Sequence, residues 1–326
     1  MLKRHGYGPS FGLMNSCRFI AEALRLRGVE AKVVEVIDNN CIDREVHNYR
    51  PTHVIIEALW VVPEKFPILL RLHPDVKWGV RIHSNTPFLS GEGMAINWLI
   101  RYREIMDRFE NFYVIANSCR MAEELDLALD IDSDYLPNVY IDSLADQNVP
   151  RETMRNVYVD IGCFGAIRPL KNQLEQAMAA IIFANELGQP LRFHINSTRV
   201  EQNSDPILRN LRALFECGRN QLVTHPWLPH YQFLKVVRQM DYGLQVSFSE
   251  TFNIVAADFV HSAVPFVGSS EIEWLSPKSM ASPTNWRDIV DKLRSSKNSR
   301  LIAKNQKSLH KFSALALDIW LAFLTH

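Results

Sequence analysis

VSFSETFNIVAADF, residues 246–259, ends an apolar strand on a lone glutamate, Glu250, and shows a second carboxylate, Asp258, eight residues later. Both acids have apolar flanks, so each needs a reason. A helix starting near Asn253 would project Asp258 from its side and leave Glu250 in the turn before it. Eight helical residues rise about 12 Å, roughly the length of an extended sugar diphosphate-ribose, so one acid would stand at each end of such a ligand. The amides of Thr251, Phe252 and Asn253 would point into the same space, and a helix N-terminus favours anions. A plainer reading has Glu250 capping the helix and Asp258 solvated. Spacing alone does not decide between the two.

Outward from this stretch, short β-rich runs alternate with helical patterns. AKVVEVI, THVIIEA, KWGVRIH and FYVIAN come first; VYVDIGCFG, LRFHINS, QLVTH, YGLQVSF and VPFVG follow after residue 156. Near-continuous apolar strands are expected where helices cover both faces of a sheet, and the alternation itself predicts a parallel α/β sheet. RFIAEALRLRG reads as a helix stopping at Gly28. The polar, turn-rich LPNVYIDSLADQNVPRETMRN interrupts the pattern, which places a linker near 143–156. The expected organisation is an α/β chain of two doubly wound Rossmann-like domains, 1–145 and 146–312, facing each other across a cleft. Two helical stretches close the chain, roughly 286–311 and 313–325, with 313–326 packing back on the first domain. Ligands in such sheets sit at the carboxyl ends of strands, which is where Glu250 falls.

The 326 residues suit two domains, and 47% apolar with 22% charged residues is a soluble, globular composition. Thirty-six acids balance thirty-six bases, so no overall field calls for nucleic acid or membrane. Five scattered cysteines without CxxC spacing argue for a reducing compartment and against a disulfide framework or a zinc site. MLKRHGYGPSFG has no apolar leader core, and FSALALDIWLAFL is interrupted by Asp318 and too short to span a bilayer. The expected location is cytoplasmic, with no transmembrane segment.

Two further clusters carry chemistry. In VDIGCFGAIRPLKNQ, Arg168 and Lys171 follow the first strand of the second domain. Two cations in a glycine-containing turn before a helix make a diphosphate clamp that replaces a metal's charge. Their being plain surface cations is disfavoured, because the helix dipole there repels positive charge. In RIHSNTPF, His83 ends a strand of the first domain. It is placed to bond a sugar hydroxyl or a reacting oxygen, although a lone histidine is more often structural.

Taken together, these residues resemble the retaining glycosyltransferases of GT-B fold, the glycogen-synthase-like, family 4 type. The family's E-x7-E motif has its counterpart in Glu250 and Asp258, its arginine–lysine diphosphate pair in Arg168 and Lys171, and its P-N-x-x-(I/V)-D signature in Pro137, Asn138 and Asp142 of LPNVYID. VPFVGS, 264–269, is similar to the family's P-V-V-G-S run, and His83 matches its first-domain histidine. Three departures stand out: Asp258 is a methylene shorter than glutamate, E-T-F-N replaces E-G-F-G, and MLKRH leaves little room for a first strand, which raises the question whether the native chain begins upstream of Met1.

The resemblance implies sugar transfer from a nucleoside-diphosphate sugar, UDP-linked in the first instance, to an acceptor hydroxyl with retained configuration and no metal or other cofactor. No DxD-like acidic pair is read in the sequence to hold a metal. Glu250 would hold the sugar, Arg168 and Lys171 the diphosphate, Asp258 the ribose, and Thr251, Phe252 and Asn253 the space between. His83 would face the sugar or acceptor, Gly12 belongs to the glycine loop GYGPSFG with Gly8, and Trp227 in THPWLPH would line the base pocket or simply pack in the core. Lys297, Arg300, Lys304, Lys307 and Lys311, spaced 3, 4, 3 and 4, put five cations on one helix face. That stripe is either a solvated face or a contact for a polyanion, membrane lipid or nucleic acid. The acceptor stays open between glycan, glycolipid and hydroxymethylated DNA. A sugar-nucleotide epimerase or hydrolase of the same fold, and a non-catalytic nucleic-acid- or membrane-binding protein, are the rival readings.

Overall fold

The computed structural model describes residues 2–4, 11–141, 157–201 and 203–325. The chain forms two compact units, Met1–Ile141 with Ser313–His326, and Asp142–Phe312. Asp142, Gly8 and the linker expected at 143–156 lie outside the described residues.

The first unit is built on β1 (Leu2–Arg4), β2 (Val34–Val36), β3 (His53–Glu57), β4 (Lys77–Ile82), β5 (Phe112–Ala116) and β6 (Asp134–Tyr135). They pair in parallel in the order β2-β1-β3-β4-β5-β6. The second holds β7 (Val159–Gly162), β8 (Leu191–Asn196), β9 (Gln221–His225), β10 (Tyr242–Gln245) and β11 (Phe266–Gly268), also parallel, in the order β11-β10-β7-β8-β9. All nine apolar runs of the sequence become strands. In the second unit the chain reverses direction across the sheet between β7 and β10. The loops leaving those two strands therefore part to opposite sides and open a crevice.

Packing fixes what stands at that crevice. Gly162 and Gly243, on neighbouring strands, lie under the ring of Phe259; a Cβ would come within 2.8 Å of that ring at Gly162 and within 2.5 Å at Gly243. The missing side chains let the helix Ile254–His261 press against the sheet. In the first unit Phe66, Tyr102 and Phe112 pack with ring centroids 4.7–5.8 Å apart beside the fully buried Trp78.

The end of the chain corrects one expectation. The helices are Trp286–Ser296 and Ser299–Thr325, so the break falls near residue 298 rather than at 312. Asn298 accepts the amide of Arg300 at 3.0 Å and starts the second helix; Phe312 and Ser313 offer no proline or glycine to stop it. Its last part, from Ser313, belongs to the first unit. There the hydroxyl of Ser313 accepts the amide of Tyr140 at 3.2 Å, and the Trp320 indole donates to the Pro137 carbonyl at 2.8 Å. No helix among the described residues is long and apolar enough to cross a membrane.

Candidate active site

At the crevice of the second unit, Lys171 donates to Glu250 across 2.5 Å, and both side chains are almost buried. The turn that carries Lys171 is welded to the end of β10 by Gln176, which is fully buried. Its amide donates to the Lys171 carbonyl and its oxygen accepts the Val246 amide, each at 2.7 Å. Asn172, at φ 56°, donates to Val246 and Pro283 carbonyls at 3.2 and 2.7 Å. Burial pulls the Lys171 ammonium below the ordinary lysine range, with Glu250 drawing it back up. The same burial pushes the thiol of Cys163 up to about 12.

The helix behind Glu250 is capped by Asn253, not by Glu250: its side-chain oxygen accepts the Ala256 amide at 2.9 Å. Asn253 stands at φ 57°, a conformation glycine or asparagine tolerates. This explains the departure from E-G-F-G: asparagine meets the same backbone demand and adds a cap. Its amide donates to Gln245 at 3.0 Å, and Gln245 to the Phe164 carbonyl at 2.8 Å, tying the loops after β7 and β10 together. Phe252 is buried, with its carbonyl accepting the Trp274 indole at 2.9 Å, and Thr251 is half-buried.

Asp258 is not solvated. It is 1% exposed and bonded to His230 at 2.7 Å, joining its helix to His230–Arg238. Arg168 is partly exposed and faces Glu201 at 3.5 Å; Glu201 also pairs with Arg199, whose guanidinium lies 5.5 Å from the Trp227 ring. A line of charge thus runs from Arg168 to the half-buried Trp227 across the carboxyl ends of β7, β8 and β9.

The first unit has its own cluster. His83 bonds Glu57 through Nε2 and faces the Asn117 amide at 3.3 Å through Nδ1. Arg81, in register with Glu57 on the next strand, donates to Glu57 at 3.1 Å, to the Leu136 carbonyl at 2.7 Å and to Asn138 at 2.7 Å. Its guanidinium lies 5.3 Å from the Trp320 ring. Burial and then Arg81 hold His83 below the ordinary histidine range. Burial alone would raise Glu57, but Arg81 and His83 outweigh it and hold the carboxyl low. Gly12 sits in the first turn of Phe11–Leu26, its carbonyl accepting from Ser16 at 3.1 Å.

Glu57, Arg81, Gln176 and Arg199 were not singled out from the sequence. Arg81 and Glu57 carry a signal as charges inside apolar strands; Gln176, with Gln173, is a polar residue on an otherwise apolar buried helix face. Residues 130–134, DIDSD, do carry DxD spacing. Asp130 there ends the helix Cys119–Leu129 at φ 54° and pairs with Arg103, and among the described residues no three His, Cys, Asp or Glu side chains are grouped to hold a metal. Of the basic stripe, Arg300, Lys304, Lys307 and Lys311 share the helix Ser299–Thr325 and are exposed; Lys297 precedes it, 4.6 Å from the Tyr242 ring.

No protein-family model matches the chain, and no curated protein matches it in sequence. Solved structures do. Sucrose-phosphate synthase from Thermosynechococcus elongatus superposes with a TM-score of 0.68 at 12% identity, over 99% of this chain and 98% of that one. The apo structure of OtsA gives 0.67 at 11% over 88% and 76% of the two chains. A UDP-forming α,α-trehalose-phosphate synthase from Burkholderia xenovorans gives 0.63 at 13% over 88% and 77%. At such identities the likeness is one of architecture: the chain has the GT-B fold, two Rossmann-like α/β units in one polypeptide, seen in these glycosyltransferases.

Proposed function

We propose that the protein is a retaining, metal-independent glycosyltransferase that takes a sugar from a UDP-sugar. The observation that carries this reading is the buried Lys171–Glu250 pair at the crevice between β7 and β10, beside the start of the helix Ile254–His261. The likeness to a UDP-forming synthase, and to a trehalose-6-phosphate enzyme from E. coli bound with UDP-2-fluoro glucose, favours UDP as the leaving group.

The chemistry follows from charge. Breaking the glycosidic bond to a nucleoside diphosphate leaves negative charge on the departing phosphate. Lys171 gives one N–H to Glu250 and keeps two for phosphate oxygens. Arg168 adds a guanidinium from the same turn, and preorganised donors in a water-poor crevice stabilise developing charge far better than water does. Diphosphate contact would add to Glu250 a second counter-charge for the ammonium that burial makes costly. Glu250, anchored by Lys171, accepts from hydroxyls of the transferred sugar and orients it. Asp258 acts at one remove by fixing His230. His83, oriented by Glu57 and Asn117 and held below the ordinary histidine range by burial and Arg81, serves the sugar or acceptor side.

For the acceptor, a phosphorylated sugar is the reading favoured by the phosphosugar-forming structural relatives. The exposed cations of Arg300, Lys304, Lys307 and Lys311 fit a larger polyanion and are the place to test one. The test of the proposal is Glu250→Gln assayed with UDP-glucose and a panel of sugar phosphates. Transfer is expected to fall by about 10²–10³-fold while UDP affinity stays nearly unchanged; equal losses in both would remove the role given to Glu250.

A further inference from the structure

The first unit contains a cavity that the donor chemistry leaves unused. It measures about 310 Å³ and is lined by Lys77, Tyr113, Asp134, Tyr135, Leu136, Ile319 and Phe323. Lys77 opens β4 and Asp134 opens the edge strand β6, while Ile319 and Phe323 come from the terminal helix Ser299–Thr325. The cavity therefore exists only because the end of the chain folds onto this unit. Three of its lining polar side chains, Asp134, Lys77 and Tyr113, are unspent among the described residues. Asp134 is partly buried, its carboxylate makes no hydrogen bond or ion pair among the described residues, and burial, then Asp132, holds that carboxyl above the ordinary range. The Lys77 ammonium and the Tyr113 hydroxyl also make none among the described residues. His53, whose ring lies 5.9 Å from Phe323, has a buried Nε2 without a partner.

Tyr113 and Phe323 meet edge to face, with centroids 5.8 Å apart and planes at 81°, forming an apolar corner. A corner of aromatic faces flanked by one carboxylate, one ammonium and a phenol suits a molecule with C–H faces and a ring of hydroxyls. We infer that this cavity is a saccharide-binding site, separate from the donor crevice, that takes a neutral sugar ring. Asp134 accepts a pair of adjacent hydroxyls, Lys77 donates to a third oxygen, and Tyr113 and Phe323 stack on the sugar's C–H faces. One ammonium against one carboxylate leaves no surplus positive charge for a phosphate, and the charged lining is hostile to an acyl chain. The volume lies at the small end of small-molecule sites, which run from about 300 to 1,000 Å³, and so admits about one or two sugar rings.

The probes are maltotriose and cellotriose, followed by NMR shift changes and by calorimetry on the full chain. Wild type is expected to bind at least one of them in the millimolar range. Asp134→Ala and Phe323→Ala should each weaken that binding about tenfold or more, with UDP affinity unchanged. Asp134→Ala should also raise Tm, because it removes an unpaired, half-buried carboxylate; this shows that lost binding is not lost folding. Lys171→Ala should bind the saccharides as wild type does, so failure of the donor reading leaves this test intact. No saccharide binding by wild type, or undiminished binding in both cavity variants, overturns the assignment.

Discussion

Both units of the molecule place an acid–base pair at the carboxyl end of a parallel sheet, and the two pairs are built differently. Glu57 and Arg81 are fully sealed, at 0% exposure each. The guanidinium is spent on Glu57, Leu136 and Asn138 and covered by Trp320. Lys171 and Glu250 retain a small opening, at 10% and 8%, and the ammonium has donors left over. A planar fork bonded through all three of its nitrogens holds a structure together; a point charge with donors left over at an opening can still bond a ligand. The first pair anchors residues 136–140, the terminal helix and His83, and the second faces the crevice.

The largest expected effect breaks the sealed pair. Arg81→Met leaves Glu57 buried without its counter-charge and should cost about 3–5 kcal/mol of stability, read by urea denaturation. Adding Glu57→Leu should restore most of that loss, since hydrophobic replacement of both partners is often neutral. A loss under 1 kcal/mol, a surface-pair value, would erase the distinction drawn between the two pairs. Glu250→Gln belongs at the other pole: it should leave stability close to wild type and strike transfer.

A smaller effect uses pH. His83 is held below its ordinary value of 6.5 by burial and by Arg81, so as pH falls below 6.5 the unfolded chain takes up a proton that the folded chain refuses. Stability then falls with pH. His53 and His225, also held low by burial, add to the same limb. Glu57, held below its ordinary 4.5, keeps its stabilising contribution above that value and loses it as pH falls through the lower folded-state value. In His83→Gln the slope between pH 6.5 and 4.5 should flatten measurably; an unchanged slope would mean that the ring takes up its proton alike in the folded and unfolded chains.

Much of the architecture was legible because the apolar runs are strong and regularly spaced: every one became a strand. β6, which spans two residues, escaped notice, and β1, for which MLKRH leaves little room, spans three; both are too short to show a period. The helix boundary was misplaced because Asn298, a capping residue, was outweighed by the change from basic to apolar residues after Lys311. Within the crevice the sequence order of Lys171 and Glu250 was enough to single each out, but not to reveal that they bond each other. That contact depends on the parallel pairing of β7 with β10, a long-range fact. Asp258 illustrates another limit: its spacing from Glu250 suggests a second ligand contact, and gives no hint that its carboxylate also bonds His230. Spacing locates a residue on a helix, and packing decides what it touches.

The measurement that bears most directly on the central claim is a calorimetric titration of UDP, with EDTA present, into wild type and Lys171→Ala. The account predicts binding to wild type that EDTA leaves unchanged and that weakens by about tenfold or more, a difference of about 1.4 kcal/mol, in the variant. Folded wild type that fails to bind UDP, or a variant that binds it equally well, would contradict it.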